Sequence, residues 1–226
     1  VMFFQTAENE YVGLNGLSAE EETGILPIRL EGGWNGQPIF QLDQRILVES
    51  GYYGEGPAIY VDPVTIDPAV TEPEQDLVEG LTGIVNPERY WEGKFQYPVD
   101  EPCLSAGFGA SRVYNGSYHY YHTGLDFAVC TASNANVYAA APGRVVFAGP
   151  LVVRGNAVII DHGWGVYTGY WHQTSLAVSE GDLVEAGQLL GIIGTTGRST
   201  GYHLHFEVWV NGTQVDPYEW LEQEYP

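Results

Sequence analysis

Lysine is almost absent: Lys94 is the only one, and the chain holds 8 basic residues against 29 acidic ones, for a net charge of -21. Phosphate binding needs Lys and Arg to neutralise it, so nucleic acid is excluded as a partner. The same deficit argues against attraction to anionic lipid or to an anionic wall polymer. No apolar run approaches the length of a membrane span, so this chain has no predicted transmembrane segment. The start, Val1-Met2-Phe3-Phe4-Gln5, lacks the basic n-region of a signal peptide, and it reads as the beginning of a mature or trimmed piece. Glycine- and serine-rich low complexity and internal repeats are also missing. Cysteine is limited to Cys103 and Cys130, with no CxxC spacing, which argues against a cysteine zinc ribbon.

What is present favours strands and turns. Of the 226 residues, 44% are apolar, 29 are Gly, 16 Tyr and 13 Pro. The acidity fits solubility by self-repulsion, or adaptation to high salt or low pH outside the cell; both readings stay open. Residues 1–63 carry short β candidates at Tyr11–Leu14, Ile25–Leu30, Pro38–Leu42, Arg45–Val48 and Ala58–Val61, separated by turn signals such as Gly32-Gly33 and Asn35-Gly36. That spacing predicts a small β-sandwich, and Leu17 to Leu30 resembles bacterial immunoglobulin-like wall modules. Residues 64–100 predict a helical connector. Thr71-Glu72-Pro73-Glu74 fits a capping box, Leu77, Val78, Leu81 and Ile84 share a face, and Asn86-Pro87 ends the helix. Residues 101–226 are a dense run of strand candidates: Val137–Ala141, Arg144–Ala148, Ala157–Asp161, Val166–His172, Gln188–Ile193 and His203–Val210. The expected fold class is mostly β: an antiparallel β-sheet domain, a small amino-terminal sandwich-like domain and one connecting helix. Asn115-Gly116-Ser117 and Asn211-Gly212-Thr213 match the glycosylation sequon and are read as turns.

Four residues carry the chemistry: His122 and Asp126 in His-Thr-Gly-Leu-Asp, and His203 and His205 in His-Leu-His. Two imidazoles and a carboxylate make three ligands for a divalent ion such as zinc, which leaves one position open, the catalytic arrangement rather than the closed structural one. On a strand, His203 and His205 share a face about 7 Å apart, so one can bind metal while the other serves as acid or base. Leu204 and Phe206 then point into the core. His172, closing Val166–His172, is a second candidate acid/base or oxyanion stabiliser. Cys103 and Cys130 flank the His122–Asp126 segment; a bridge would clamp it in an oxidising compartment, and two buried thiols are the alternative.

These motifs resemble the lysostaphin-type zinc endopeptidases of the M23 family, the LytM-like domains of wall hydrolases. The matching stretches are Phe108-Gly109, His122-Thr-Gly-Leu-Asp126, Val137-Tyr-Ala-Ala, Ile160-Asp-His-Gly163, Tyr170-Trp-His172, Gly187 to Gly194, Gly197-Arg-Ser-Thr-Gly-Tyr-His203-Leu-His205-Phe-Glu207 and Val215-Asp-Pro217. The resemblance implies Zn2+ held by His122, Asp126 and His205, with His172 and His203 as catalytic histidines. It implies hydrolysis of peptide bonds in peptidoglycan stems or cross-bridges, outside the cytoplasm. Some family members lose zinc ligands and act as activators of other wall enzymes; all ligands are present here. The chain departs from the family pattern at Cys130 and Tyr202, where proline is common, and at Gln173, where leucine is common. A cysteine in place of the usual proline fits a local disulfide.

His119 reads as loop packing or surface and His162 as a turn residue. Tyr118, Tyr120, Tyr121, Tyr167, Tyr170 and Trp171 read as packing around the site or as walls of a groove. Many such enzymes are kept latent by an upstream segment, and Val85 to Asp100 is the candidate for shielding here.

Overall fold

The computed structural model describes residues 1–35, 37–130 and 135–225. The expected turn at Gly36 and the segment 131–134 after Cys130 lie outside the described residues. The chain opens with two antiparallel ribbons, β1 (Phe3–Ala7) with β2 (Glu10–Gly13), and β3 (Gly24–Trp34) with β4 (Gln37–Val48). These pair only within themselves, so the described residues form no sandwich. Their alternation is that of hairpins, and among the residues up to Gly51 whose burial is described only Phe4 and Val48 are buried. Phe4 stacks on Trp164 at 4.8 Å, which seats the first ribbon on the body. The separate expectations for Pro38–Leu42 and Arg45–Val48 merge into β4. The polar break between them is Asp43, which binds Arg29 of β3 at 2.7 Å.

β5 (Glu55–Ile59) leaves these ribbons and pairs in parallel with β7 (Ser111–Tyr114), which turns at Asn115-Gly116 into β8 (Tyr118–Tyr121). Asn115 and Gly116 both have positive φ, as do Asn211 and Gly212, so each sequon forms a hairpin turn.

Helix α1 (Pro68–Thr82) starts three residues before the expected capping box. Asp67 caps it by accepting from Ala69 N at 2.9 Å, and Pro68 takes the first position, where no N–H is needed. Thr71 and Pro73 are therefore interior, and the helix stops at Gly83, ahead of Asn86-Pro87. Its buried stripe is Glu74, Val78 and Thr82, with Leu77 and Ile84 exposed. Glu74 accepts from Val153 N, Arg154 N and Arg154 Nη1 at 2.8, 3.0 and 3.0 Å, a satisfied buried carboxylate rather than a cap.

The main sheet is built from β6 (Leu104–Ala106), β9 (Leu125–Ala128), β11 (Gly143–Leu151), β12 (Gly155–Gly163), β13 (Val166–Gln173), β15 (Leu183–Val184) and β17 (His203–Val210), in the order β15-β11-β12-β13-β17-β9-β6, with β18 (Thr213–Val215) on β17. A smaller sheet joins β10 (Asn136–Tyr138), β16 (Leu189–Ile192) and β14 (Ser175–Leu176), and α2 (Pro217–Glu222) closes the described chain. Both faces of the central strands are covered. Val158, Ile160, Tyr170, Leu204, Phe206 and Val208 belong to the large core; Ala157, Ile159, Tyr167, Trp171 and Trp209 pack with Val78 of α1. Cys103 and Cys130 are bridged, tying the residue just before β6 to the segment just past β9. Closing a loop of this length contributes about 3–4 kcal/mol in the chain-entropy model.

The stretch from Val85 to Asp100 packs into the large core through Trp91, Phe95 and Val99. None of its residues lines the groove described below. The expectation that it shields the site is thus corrected: its aromatic side chains are spent on the core.

Candidate metal centre

Sheet register assembles the site. β17 lies between β13 and β9, with His205 opposite Asp126 on one side and opposite Trp171 on the other. Alternation puts His203, His205 and Glu207 on one face of β17, while Leu204 and Phe206 are fully buried on the other. His122 arrives from the turn before β9. Gly124 in that turn has no alternative, because a Cβ there would meet Phe206 O at 2.2 Å.

Alternation alone would send His172 into the core beside Tyr170. Instead β13 carries one extra residue between Tyr170 and Gln173, opposite Val158 and Asn156, and His172 has φ 65. The bulge re-aims the ring to 4.9 Å from His203.

His122 Nε2, Asp126 Oδ1 and His205 Nδ1 converge, at 2.9, 2.8 and 3.0 Å from one another. His122 Nδ1–H donates to Gly107 O at 2.7 Å, which leaves Nε2 as a lone pair. His205 Nε2–H donates to Glu207 Oε1 at 2.9 Å, which leaves Nδ1 as a lone pair. Two lone-pair nitrogens and a carboxylate oxygen facing one another can hold a cation between them, and this donor set suits zinc. Glu207 is itself fixed by Thr123 Oγ1 and by Gln214 Nε2 at 3.1 Å.

The titration behaviour follows from the same contacts. Burial opposes ionisation of Asp126, but the neighbouring His122 and His205 imidazoles outweigh it and hold the carboxyl well below its usual range. Burial also opposes charge on His205, yet Asp126 and Glu207 raise it to about 9. Burial, then the neighbouring His203 and His205, depress His172 to about 3, and burial lowers His203. Both rings are tied through Nδ1–H, His172 to Thr196 O at 2.7 Å and His203 to Gly201 O at 2.8 Å. Among the described residues neither Nε2 makes a hydrogen bond, and His203 Nε2 lies 3.7 Å from Asp126 Oδ1.

These groups line one groove of about 740 Å³. Its remaining wall was not foreseen from the sequence. Pro57, Ile59 and Val61 contribute to it, as do Glu72, Gln75 and Glu79 of α1 and Arg112 and Arg198 from the body. Tyr114, Tyr118, Tyr120 and Tyr121 line it as well, while Tyr167 and Tyr170 belong to the cores. Glu207 had a sequence signal, since it continues the period-two face of His203 and His205. His119 is exposed on β8. His162, expected in a turn, is instead fully buried within β12, bonded to Pro142 O and Thr168 Oγ1 at 2.7 Å each.

Residues 120–217 match the model for peptidase family M23. The DD-carboxypeptidase/endopeptidase Mpg of Neisseria meningitidis serogroup B is 44% identical over 96 residues, 42% of this chain and 22% of that protein. The peptidoglycan DD-endopeptidase ShyB of Vibrio cholerae serotype O1 is 37% identical over 124 residues, 54% of this chain and 29% of that protein. The chain therefore spans less than a third of either relative's length. A crystal structure of a candidate M23 peptidase from Pseudomonas aeruginosa superposes with a TM-score of 0.73 at 25% identity, covering 99% of this chain and 84% of that one. Mostly β, with the M23 motifs gathered on β9, β13 and β17, the chain matches peptidase family M23 over residues 120–217.

Proposed function

We propose that the chain is a zinc-dependent endopeptidase that hydrolyses peptide bonds of peptidoglycan stems or cross-bridges outside the cytoplasm. The observation that carries this reading is the complete donor set of His122, Asp126 and His205 beside two imidazoles with free Nε2 atoms. An activator without catalysis would have no need of that set.

Zinc, when bound there, supplies a Lewis acid and acidifies water. The residues do the rest. His122, Asp126 and His205 hold the ion, and Glu207 sets the tautomer of His205 through Nε2–H. His203 takes a proton at Nε2 and passes it to the leaving amine. His172, held through Nδ1–H by Thr196 O, presents its Nε2 lone pair beside it and accepts a hydrogen bond from the reacting water. The tyrosines and α1 confine the peptide between the walls and exclude water.

Digestion of purified peptidoglycan with and without a chelator, with products read by mass, tests the reading. The metal-loaded protein should release peptides carrying new amines, and the chelated one should release none. No new amine from the loaded protein refutes it. His203→Ala should abolish cleavage and keep zinc; His205→Ala should lose both. Equal zinc content in the two variants contradicts the assigned roles.

A further inference from the structure

Seven arginines and one lysine face 29 carboxylates in this chain, yet Arg112, Arg154 and Arg198 all line the groove. Two of them are committed. Arg154 binds Glu74 at 3.0 Å and Gln75 Oε1 at 2.7 Å; Arg112 lies 3.7 Å from Asp126 Oδ2. Arg198 has no carboxylate partner among the described residues. Its guanidinium sits over the rings of Tyr114 and Tyr120, at 4.7 and 5.3 Å, and donates from Nη1 to Thr65 O at 3.3 Å. Its backbone N–H donates to Val153 O at 2.7 Å, which fixes the loop. The neighbouring Ser199 Oγ lies 3.4 Å from His203 Nδ1, so the same loop touches a candidate catalytic histidine at the start of β17.

A half-buried, stacked guanidinium with most of its five N–H donors unspent is set to take a carboxylate in the two-pronged geometry that Arg favours. Glu72 and Glu79 of α1 line the same groove, so the local field repels a carboxylate from α1 and directs it to Arg198. We propose that Arg198 is a specificity residue that binds a free carboxylate of the peptide in the groove, so that the chain takes acidic peptides over their amides. This inference rests on the peptidase reading above.

The test is calorimetric titration of zinc-loaded His203→Ala protein, in which no turnover depletes the ligand. Three cross-linked stem peptides serve as probes: one with all carboxyls free, one amidated at the terminal carboxyl and one amidated at the side-chain carboxyl. The free peptide should bind about tenfold or more tightly than one of the two amides, and that amide names the carboxylate. Arg198→Gln should erase this preference, whereas Arg144→Gln, which removes an equal charge outside the groove, should keep it. If Arg198→Gln fails to fold, Arg198→Lys carries the test. It should weaken the free peptide toward the amide, because it keeps the charge and loses the fork. Equal binding of all three peptides, or an undiminished preference in the folded Arg198 variants, overturns the proposal. A protein that shows the preference but releases no amine from peptidoglycan would remove the peptidase reading and leave carboxylate binding in place.

Discussion

His205 offers Nδ1 to the donor set because Glu207 holds its Nε2–H, and burial alone would keep Glu207 neutral. The hydrogen bond from His205 overcomes that burial and holds the Glu207 carboxyl at about 2. Glu207→Gln replaces the charged acceptor with an amide, so zinc affinity should fall about 10–100-fold, read by chelator competition. His162 gives a separate prediction, away from the groove. Burial lowers it from 6.5 to about 4, so between those values the unfolded chain binds the proton and the folded chain does not. Stability therefore rises with pH across this window and is lost on acidification, by roughly 3 kcal/mol in total. Denaturant titrations at pH 4 and pH 7 should show that loss, and His162→Gln should reduce it. At this scale the sequence was informative wherever alternation holds: His203, His205 and the inward Leu204 follow from period two. The aim of His172 was not legible, because it depends on an extra residue in β13 that has meaning only against the register of β12.

Elements were harder to read than residues. The start of α1 is set by Asp67 and Pro68, and the Thr71-to-Glu74 pattern mimics a cap one turn later. The amino-terminal strands were recognisable as strands, but alternation does not say what a strand packs against; here they form ribbons, and β5 joins β7. The role of α1 depends on one carboxylate. Glu74 satisfies two backbone N–H groups and the Arg154 guanidinium, so Glu74→Ala leaves three donors without an acceptor and the buried Arg154 charge without a carboxylate. The expected loss is about 3–5 kcal/mol, measured by denaturant unfolding. The groove should loosen with it, since Gln75 and Glu79 of the same helix line it.

Across the whole molecule, a net charge of -21 loads the folded state with self-repulsion. Salt screens that repulsion, the Debye length falling from about 30 Å at 0.01 M to about 3 Å at 1 M. Thermal unfolding should therefore shift upward with sodium chloride; a downward shift would mean that the few ion pairs, Arg154–Glu74 foremost, outweigh the excess of like charge. The order of strands in the main sheet bears on how the molecule is made. β17 separates β13 from β9 in space but follows both in the chain. During synthesis, which runs at about 5–20 residues per second, His122, Asp126 and His172 emerge well before the strand that unites them. A nascent chain lacking β17 has no His205, nothing to join β13 to β9 and no finished groove. On the function proposed above, a wall-cutting enzyme thus becomes competent only once β17 has emerged from the ribosome and joined β13 to β9.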